Sequence, residues 1–286
     1  MSDEIRMQKT AREAMQAYLR SVTYPVLWAG GSRLISVGSC VLFRHEDRHF
    51  LLTALHLFEE YDKETHTRFP YEGLVGPLSM RDVSPPELGQ IHVHTIDDNE
   101  AEEAKRLDIV AIELLEESFL QGIKQHWSFI TIDHFALPRS DSPYFVSGFP
   151  REREKKFGEA IGASLLFLQT EEADHVPDAI EDYDSRYDVV LKYDPETLNF
   201  HDNNAPVKSP FVGGVSGGPI FRVADDKPLF WSAKSGMRFV GIQTSSTRLN
   251  QWIRFKNIHA VARYFDLAIP EIGAAIREQI GRSPAS

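Results

Sequence analysis

The feature that most constrains the fold of this chain is a glycine-rich hexapeptide, residues 214–219, which reads Gly-Val-Ser-Gly-Gly-Pro. Glycine reaches backbone angles, including positive φ, that other residues avoid. A serine flanked by glycines can therefore sit on a tight turn, with backbone amides beside its hydroxyl group. Taken alone, the hexapeptide is equally compatible with a plain turn between two strands.

Two polar residues stand at the ends of strand-like segments upstream of this turn. His56 follows an apolar run at residues 50–52, and Asp108 opens the apolar segment 109–111. A serine hydroxyl becomes nucleophilic only with a base within hydrogen-bond reach, and the imidazole of histidine, with a pKa of about 6.5, is suited to that role. A carboxylate on the other ring nitrogen would fix the tautomer of that imidazole. The order His56, Asp108, Ser216 therefore predicts a fold in which three distant side chains converge.

These segments resemble the trypsin/chymotrypsin-like serine peptidase family. Thr-Ala-Leu-His at 53–56 is similar to the family's Thr-Ala-Ala-His, and Asp-Ile-Val at 108–110 to its Asp-Ile-Ala/Val. The hexapeptide is similar to Gly-Asp-Ser-Gly-Gly-Pro, and Val-Gly-Ile at 240–242 to the strand that follows the nucleophile. The resemblance covers roughly residues 33–265.

The resemblance implies an all-β fold of two six-stranded Greek-key barrels with an N-terminal helix and C-terminal helices. We expect the chain to divide into an amphipathic N-terminal helix at 1–22, a first barrel at 23–137 with His56 and Asp108, a second barrel at 138–250 with Ser216, and C-terminal helices at 251–286.

Four segments carry more specific expectations. Helical spacing of apolar residues predicts helices over 252–267 and 271–281. The charged segment 97–106 is expected to form a surface helix or loop. The connector 171–188 is rich in Asp and Glu and is expected to be exposed, either as a solvated loop or as an acidic exosite for basic peptide segments.

The resemblance also assigns roles to residues. It implies a catalytic triad of His56, Asp108 and Ser216, and an oxyanion hole formed by the amides of Gly214 and Ser216. The residues expected to line the substrate pocket are Pro210, Phe211, Thr244, Ser245 and Ser246.

Two of these positions depart from the family's pattern. Pro210 stands where an acid would be expected for Arg or Lys specificity, so we expect a small or medium-sized uncharged residue before the scissile bond. Val215 replaces an aspartate that pairs with a new N-terminus in secreted members, so we expect no activation by N-terminal cleavage.

Composition limits the classes of protein to which this chain can belong. Lys and Arg number 31 against 42 Asp and Glu, a net charge of −11, which disfavours nucleic-acid binding. The only cysteine, Cys40, cannot form an intramolecular disulfide, which fits a reducing compartment. With neither an apolar signal core nor a membrane-spanning run, we expect a cytoplasmic protein that binds no membrane.

No cofactor or metal is implied. His92 and His94 share one face of a predicted strand, which is the geometry of a metal-binding pair, but no third ligand stands near them. An exposed alternating strand accounts for both histidines.

The sequence thus predicts a serine endopeptidase that acts on protein or peptide substrates through an acyl-enzyme, in a regulatory, stress or defence role and with a possible regulatory protein partner. Two alternatives remain open. One is a binding or scaffold module that keeps the fold without turnover, and the other is an esterase that uses the same nucleophile.

Overall fold

Two six-stranded antiparallel sheets form the body of the protein in a computed structural model. The structure describes residues 3–30, 33–59, 70–79, 85–153, 155–157, 160–162, 164–193, 198–200, 206–208, 212–225, 231–247 and 251–282.

The first sheet has the strand order β4-β1-β2-β3-β6-β5. Its strands are β1 Thr23–Gly30, β2 Arg33–His45, β3 Arg48–Thr53, β4 Leu74–Val75, β5 Ile91–His94 and β6 Val110–Leu114.

The second sheet has the order β10-β7-β14-β15-β16-β11, and the pairs β8–β9 and β12–β13 form separate two-stranded sheets. These strands are β7 Tyr144–Gly148, β8 Lys155–Phe157, β9 Ala160–Gly162, β10 Leu166–Thr170, β11 Asp188–Lys192, β12 Leu198–Phe200, β13 Pro206–Lys208, β14 Pro219–Val223, β15 Met237–Thr247 and β16 Trp252–Asn257.

Helices precede, connect and follow the sheets. They are α1 Asp3–Val22, α2 His56–Glu59, α3 Ala101–Leu107, α4 Glu117–Ile123, α5 Ala233–Gly236, α6 Ile258–Ala268 and α7 Pro270–Arg282. Within the described ranges, no helix is both long and apolar enough to cross a membrane. Two curled six-stranded sheets, an N-terminal helix and C-terminal helices confirm the predicted fold class.

Side-chain alternation along the strands places apolar residues in several separate cores. On β3, Leu51 packs into a core of the first sheet, whereas Phe50 and Leu52 pack into a second core that both sheets and α6 share. A third core, which contains Ile220, belongs to the second sheet. Because β3 is buried on both faces, the segment that leads into His56 is held on two sides.

The terminal helices pack against the sheets. The N-terminal helix buries Leu19 and Val22 completely, and the Tyr18 ring lies edge-on to the Phe221 ring of β14 at 5.9 Å. At the other end of the chain, the Tyr264 hydroxyl of α6 donates to the carbonyl of His94 and accepts from the amide of Ala111. Both contacts join a helix to a strand that is remote in sequence.

The predicted helix over 252–267 is wrong at its start, because residues 252–257 form β16, a strand of the second sheet between β15 and β11. The helix α6 begins only after Asn257, whose Oδ1 accepts from the amides of His259 and Ala260. An N-cap asparagine of this kind ends the extended segment and starts the helix. The boundary expected at 250/251 thus cuts off the last strand of the second sheet.

Candidate active site

His56 is presented where β3 leaves the first sheet. The strand ends at Thr53, and the single-turn helix α2 begins at His56 itself. His56 Nδ1 lies 2.8 Å from Asp108 Oδ2, and the backbone amide of His56 donates to Asp108 Oδ1 at 2.9 Å. Because Nδ1 donates its proton to the carboxylate, Nε2 is left as the acceptor of the neutral imidazole.

Asp108 is positioned by the end of α3. It is the C-cap of that helix, with φ 51° and ψ 44°, and its amide donates to the carbonyl of Ala104 at 2.9 Å. Aspartate is one of the few residues that tolerate this left-handed conformation. The Asp108 carbonyl also accepts from the amide of Leu55, next to His56, at 3.3 Å. The charged segment 97–106, predicted as a surface helix or loop, contains most of α3, and the end of this helix positions the Asp108 carboxylate.

Ser216 lies on a turn with two glycines in the left-handed region. Gly214 has φ 94° and Gly217 has φ 83°. The turn is joined to β15, since the Gly217 amide donates to the Gln243 carbonyl at 2.8 Å and the Gln243 amide donates to the Gly218 carbonyl at 2.9 Å. The Ser216 hydroxyl itself donates to the Thr244 carbonyl at 3.5 Å.

The buried residue Ser39 on β2 ties this turn to the first sheet. Its amide donates to the Ser216 carbonyl at 2.8 Å, and its hydroxyl donates to the Gly214 carbonyl at 3.0 Å. The same hydroxyl accepts from the Phe149 amide at 2.9 Å, and the Ser39 carbonyl accepts from Thr53 Oγ1 at 2.6 Å. One residue of the first sheet thus contacts both the Ser216 turn and the strand that leads into His56.

Sequence reasoning did not single out Ser39. The available signal was a serine inside the apolar run 34–43, where a buried hydroxyl must find hydrogen-bond partners.

The amides of Gly214 and Ser216 are the two donors expected in the oxyanion hole. In the part of the chain that the structure describes, neither of these amides donates a hydrogen bond to a protein acceptor. Buried backbone amides are usually paired. Backbone amides without a protein acceptor are the kind of donor that stabilises an oxygen carrying negative charge.

A cavity of about 1130 Å³ is lined by several of the predicted site residues. His56, Asp108 and Ser216 all line it, and so do Thr244, Ser245 and Ser246, three of the five residues expected in the substrate pocket. The other two, Pro210 and Phe211, lie outside the described residues.

The histidine pair on β5 belongs to a different environment. His92 is exposed, as expected, but the expectation fails for His94, whose Nε2 lies 2.7 Å from Glu113 Oε2. Arg48 holds the same carboxylate with two hydrogen bonds and lowers the pKa of Glu113. Among the described residues, no group of three His, Cys, Asp or Glu side chains could hold a metal ion.

Cys40 lies in the core of the first sheet and is fully buried. Burial raises the pKa of its thiol, so Cys40 is a poor nucleophile.

Comparisons with known proteins return similarity to solved structures. No protein-family model matches the chain, and no curated protein matches it. The chain is similar to the serine endoprotease from Yersinia pestis, with 14% identity, a TM-score of 0.44, and 95% of this chain and 67% of that chain covered. It is also similar to a Glu endopeptidase in complex with MPD, with 9% identity, a TM-score of 0.44, and 89% and 91% covered. A third similar structure is a catalytically active tobacco etch virus protease complexed with product, with 12% identity, a TM-score of 0.41, and 85% and 75% covered. At these identities, function has to be argued from the geometry of the site.

Proposed function

We propose that the protein is a serine endopeptidase in which Ser216 is the nucleophile, His56 the general base and Asp108 the residue that orients His56. The observation that carries the proposal is the double hydrogen bond between Asp108 and His56, in a cavity that Ser216 also lines. The carboxylate holds both the backbone and the ring of His56. The imidazole is thereby fixed in the tautomer that accepts a proton at Nε2.

The proposed reaction proceeds in two halves. Ser216 Oγ attacks the carbonyl carbon of the scissile peptide bond, and its proton passes to His56 Nε2. The carbon–nitrogen bond then breaks, the leaving amine takes that proton, and an ester of Ser216 remains. Water attacks this ester with His56 again as the base, which releases the carboxyl product and restores the hydroxyl.

The unpaired amides of Gly214 and Ser216 support this chemistry, because they would stabilise the oxyanion of each tetrahedral intermediate. The loss of one such donor lowers turnover by about 10²- to 10³-fold. Val215 lies between them, fully buried in the core of the second sheet, so the turn is anchored by apolar packing. This anchoring agrees with the expectation that no new N-terminal ion pair is needed to order the site.

Protein or peptide chains are the proposed substrates. The three described pocket residues Thr244, Ser245 and Ser246 carry no charge, which agrees with the expectation of an uncharged residue before the scissile bond.

Covalent labelling tests the nucleophile. A fluorophosphonate should modify Ser216 in the wild type, and peptide mapping should find the adduct there. Ser216→Ala should lose labelling and lower casein cleavage by roughly 10⁶-fold if the triad acts as a unit. Ser118→Ala removes an exposed hydroxyl on α4 and should behave as wild type.

The outcomes separate the open functions. Labelling with casein cleavage supports the endopeptidase. Labelling with turnover of a nitrophenyl ester but no cleavage of any peptide would replace it by the esterase. A folded wild type that is not labelled would contradict Ser216 as a nucleophile and favour a binding module.

A further inference from the structure

Among the described residues, four that line the catalytic cavity carry a buried side-chain donor without a hydrogen-bond partner: Thr244, Ser245, Trp252 and Arg254. Two of these donors are the Nε of Arg254 on β16 and the hydroxyl of Ser245 on β15. Both residues line the cavity that holds Ser216. They are also paired directly across the two strands, and such residues project from the same face with Cβ atoms about 4.5–5.5 Å apart. One small ligand group can therefore contact both donors.

Arg254 shares its counter-ion, the carboxylate of Asp188, with Lys256. The nearby carboxylate of Asp188 is fully buried and is already engaged, by Lys256 Nζ at 2.7 Å and by the amide of Asp184 at 2.9 Å. Arg254 Nε stays 3.9 Å from it, beyond hydrogen-bond distance, and Arg254 Nη1 donates to the carbonyl of Glu181. Two cations thus face one carboxylate, which leaves one positive charge on the cavity wall.

Acidic side chains also border the cavity, and they oppose this charge only weakly. Glu181 and Asp182 are exposed at the rim, and the Glu102 side chain is 93% exposed. Glu103 and Asp108 are less exposed, but Glu103 is paired with Arg106 and Arg263, and Asp108 is paired with His56. Exposed charges are screened by water and by salt, with a Debye length of about 8 Å at physiological ionic strength. The Arg254 side chain is only 18% exposed, so it would meet a ligand at hydrogen-bond distance with little screening by water.

We propose that Arg254 and Ser245 form a subsite for the carboxylate side chain of an aspartate or glutamate in the peptide substrate. The inference rests on the proposed endopeptidase function. A carboxylate accepts from a guanidinium and a hydroxyl at once, and the charge-assisted bonds satisfy both unpaired donors. The Ser245–Arg254 subsite therefore favours acidic substrate residues, although the rim of the cavity is itself acidic.

The position of this subsite relative to the scissile bond follows from the sheet. The Ser216 turn is hydrogen-bonded to β15, and Arg254 lies on the next strand. Two strand spacings amount to about 10 Å, which about three residues of extended peptide can span. The acidic residue of the substrate should therefore lie within three positions of the cleaved bond. If that position is not the one directly before the bond, the subsite agrees with the uncharged residue expected there.

A matched peptide scan tests the subsite. A casein-derived peptide that the wild type cleaves would be remade with Glu, Gln or Lys at each of the three positions on either side of the cleaved bond. At one position the wild type should cleave the Glu peptide about 10- to 100-fold faster in kcat/KM than the Gln peptide. Binding of the same peptides to Ser216→Ala, measured by fluorescence anisotropy, should show the preference without turnover.

Two variants connect the preference to the subsite. Arg254→Gln should abolish the preference for Glu, and Ser245→Ala, a smaller change that preserves folding if Arg254→Gln does not, should reduce it severalfold. Arg139→Gln removes a half-buried arginine that pairs with Asp141 and Asp225 outside the cavity, and it should keep the full preference.

The two proposals fail in different ways. If the fluorophosphonate labels the wild type but Glu, Gln and Lys peptides are cleaved equally, or the Lys peptide is preferred, the subsite is overturned and the peptidase stands. A preference for Glu that survives in both variants overturns the subsite as well. If the wild type is not labelled and cleaves nothing, the endopeptidase itself is overturned.

Discussion

Alanine at position 217 would place a methyl group where the two sheets meet. A Cβ atom at Gly217 would lie 2.0 Å from Thr53 Oγ1 and 2.1 Å from the Ser39 carbonyl oxygen. These two oxygens are themselves joined by a 2.6 Å hydrogen bond. The methyl group would therefore press on the bond that links the His56 strand to Ser39, the β2 residue that holds the Ser216 turn.

The expected loss of stability has three parts. The left-handed backbone at Gly217, with φ 83°, costs about 1–2 kcal/mol for a residue with a side chain. Overpacking against fixed backbone costs about 1–3 kcal/mol, and the displaced Thr53 hydrogen bond costs about 1 kcal/mol. The free energy of unfolding should thus fall by about 3–6 kcal/mol, a large part of the 5–15 kcal/mol typical of proteins.

Gly281→Ala is the matched control, because no atom lies within 4 Å of a Cβ atom at that exposed position of α7. Alanine favours a helix over glycine, so this variant should be up to about 1 kcal/mol more stable than wild type. Urea unfolding followed by tryptophan fluorescence would measure both. If the free energies of unfolding of Gly217→Ala and Gly281→Ala differ by less than 1 kcal/mol, close packing of the Ser216 turn against the first sheet is refuted.

Three further predictions address the same site and its surroundings. Ser39→Ala should lower the free energy of unfolding by about 2–4 kcal/mol, since buried partners including the Gly214 carbonyl lose a hydrogen bond; normal urea unfolding and normal kcat would contradict this. Asp108→Asn should lower kcat by about 10⁴-fold with the fold intact by circular dichroism, because the amide would favour the wrong tautomer of His56; full activity would exclude the orienting role. Burial lowers the pKa of His134 below its ordinary value, so below about pH 6.5 the unfolded chain binds the proton more readily and stability falls as the pH falls. Thermal melts at pH 7.5 and 5.5 should show a smaller decrease for His134→Asn than for wild type, and an equal decrease would rule out this contribution.

Local patterns in the sequence predicted much of the fold. The apolar run before His56 forms a strand that is buried on both faces, and the Val-Gly-Ile segment at 240–242 lies in the strand β15. Such patterns are readable because successive side chains of a strand point to opposite faces. The segment 252–257 escaped this reasoning because its apolar residues also fit helical spacing, and only pairing with β15 and β11 decides the matter.

By itself, the sequence determined the types and order of the groups that the site brings together: a histidine after a strand, an aspartate before a strand and a serine between glycines. It also determined where glycine must occur, because positive φ is a local requirement. The clamp of Ser39 on the Ser216 turn, the placement of Asp108 by the end of α3, and the pairing of Ser245 with Arg254 were decided only by the tertiary structure. Each of these contacts depends on strand register or on packing between segments far apart in the chain, which no local pattern encodes.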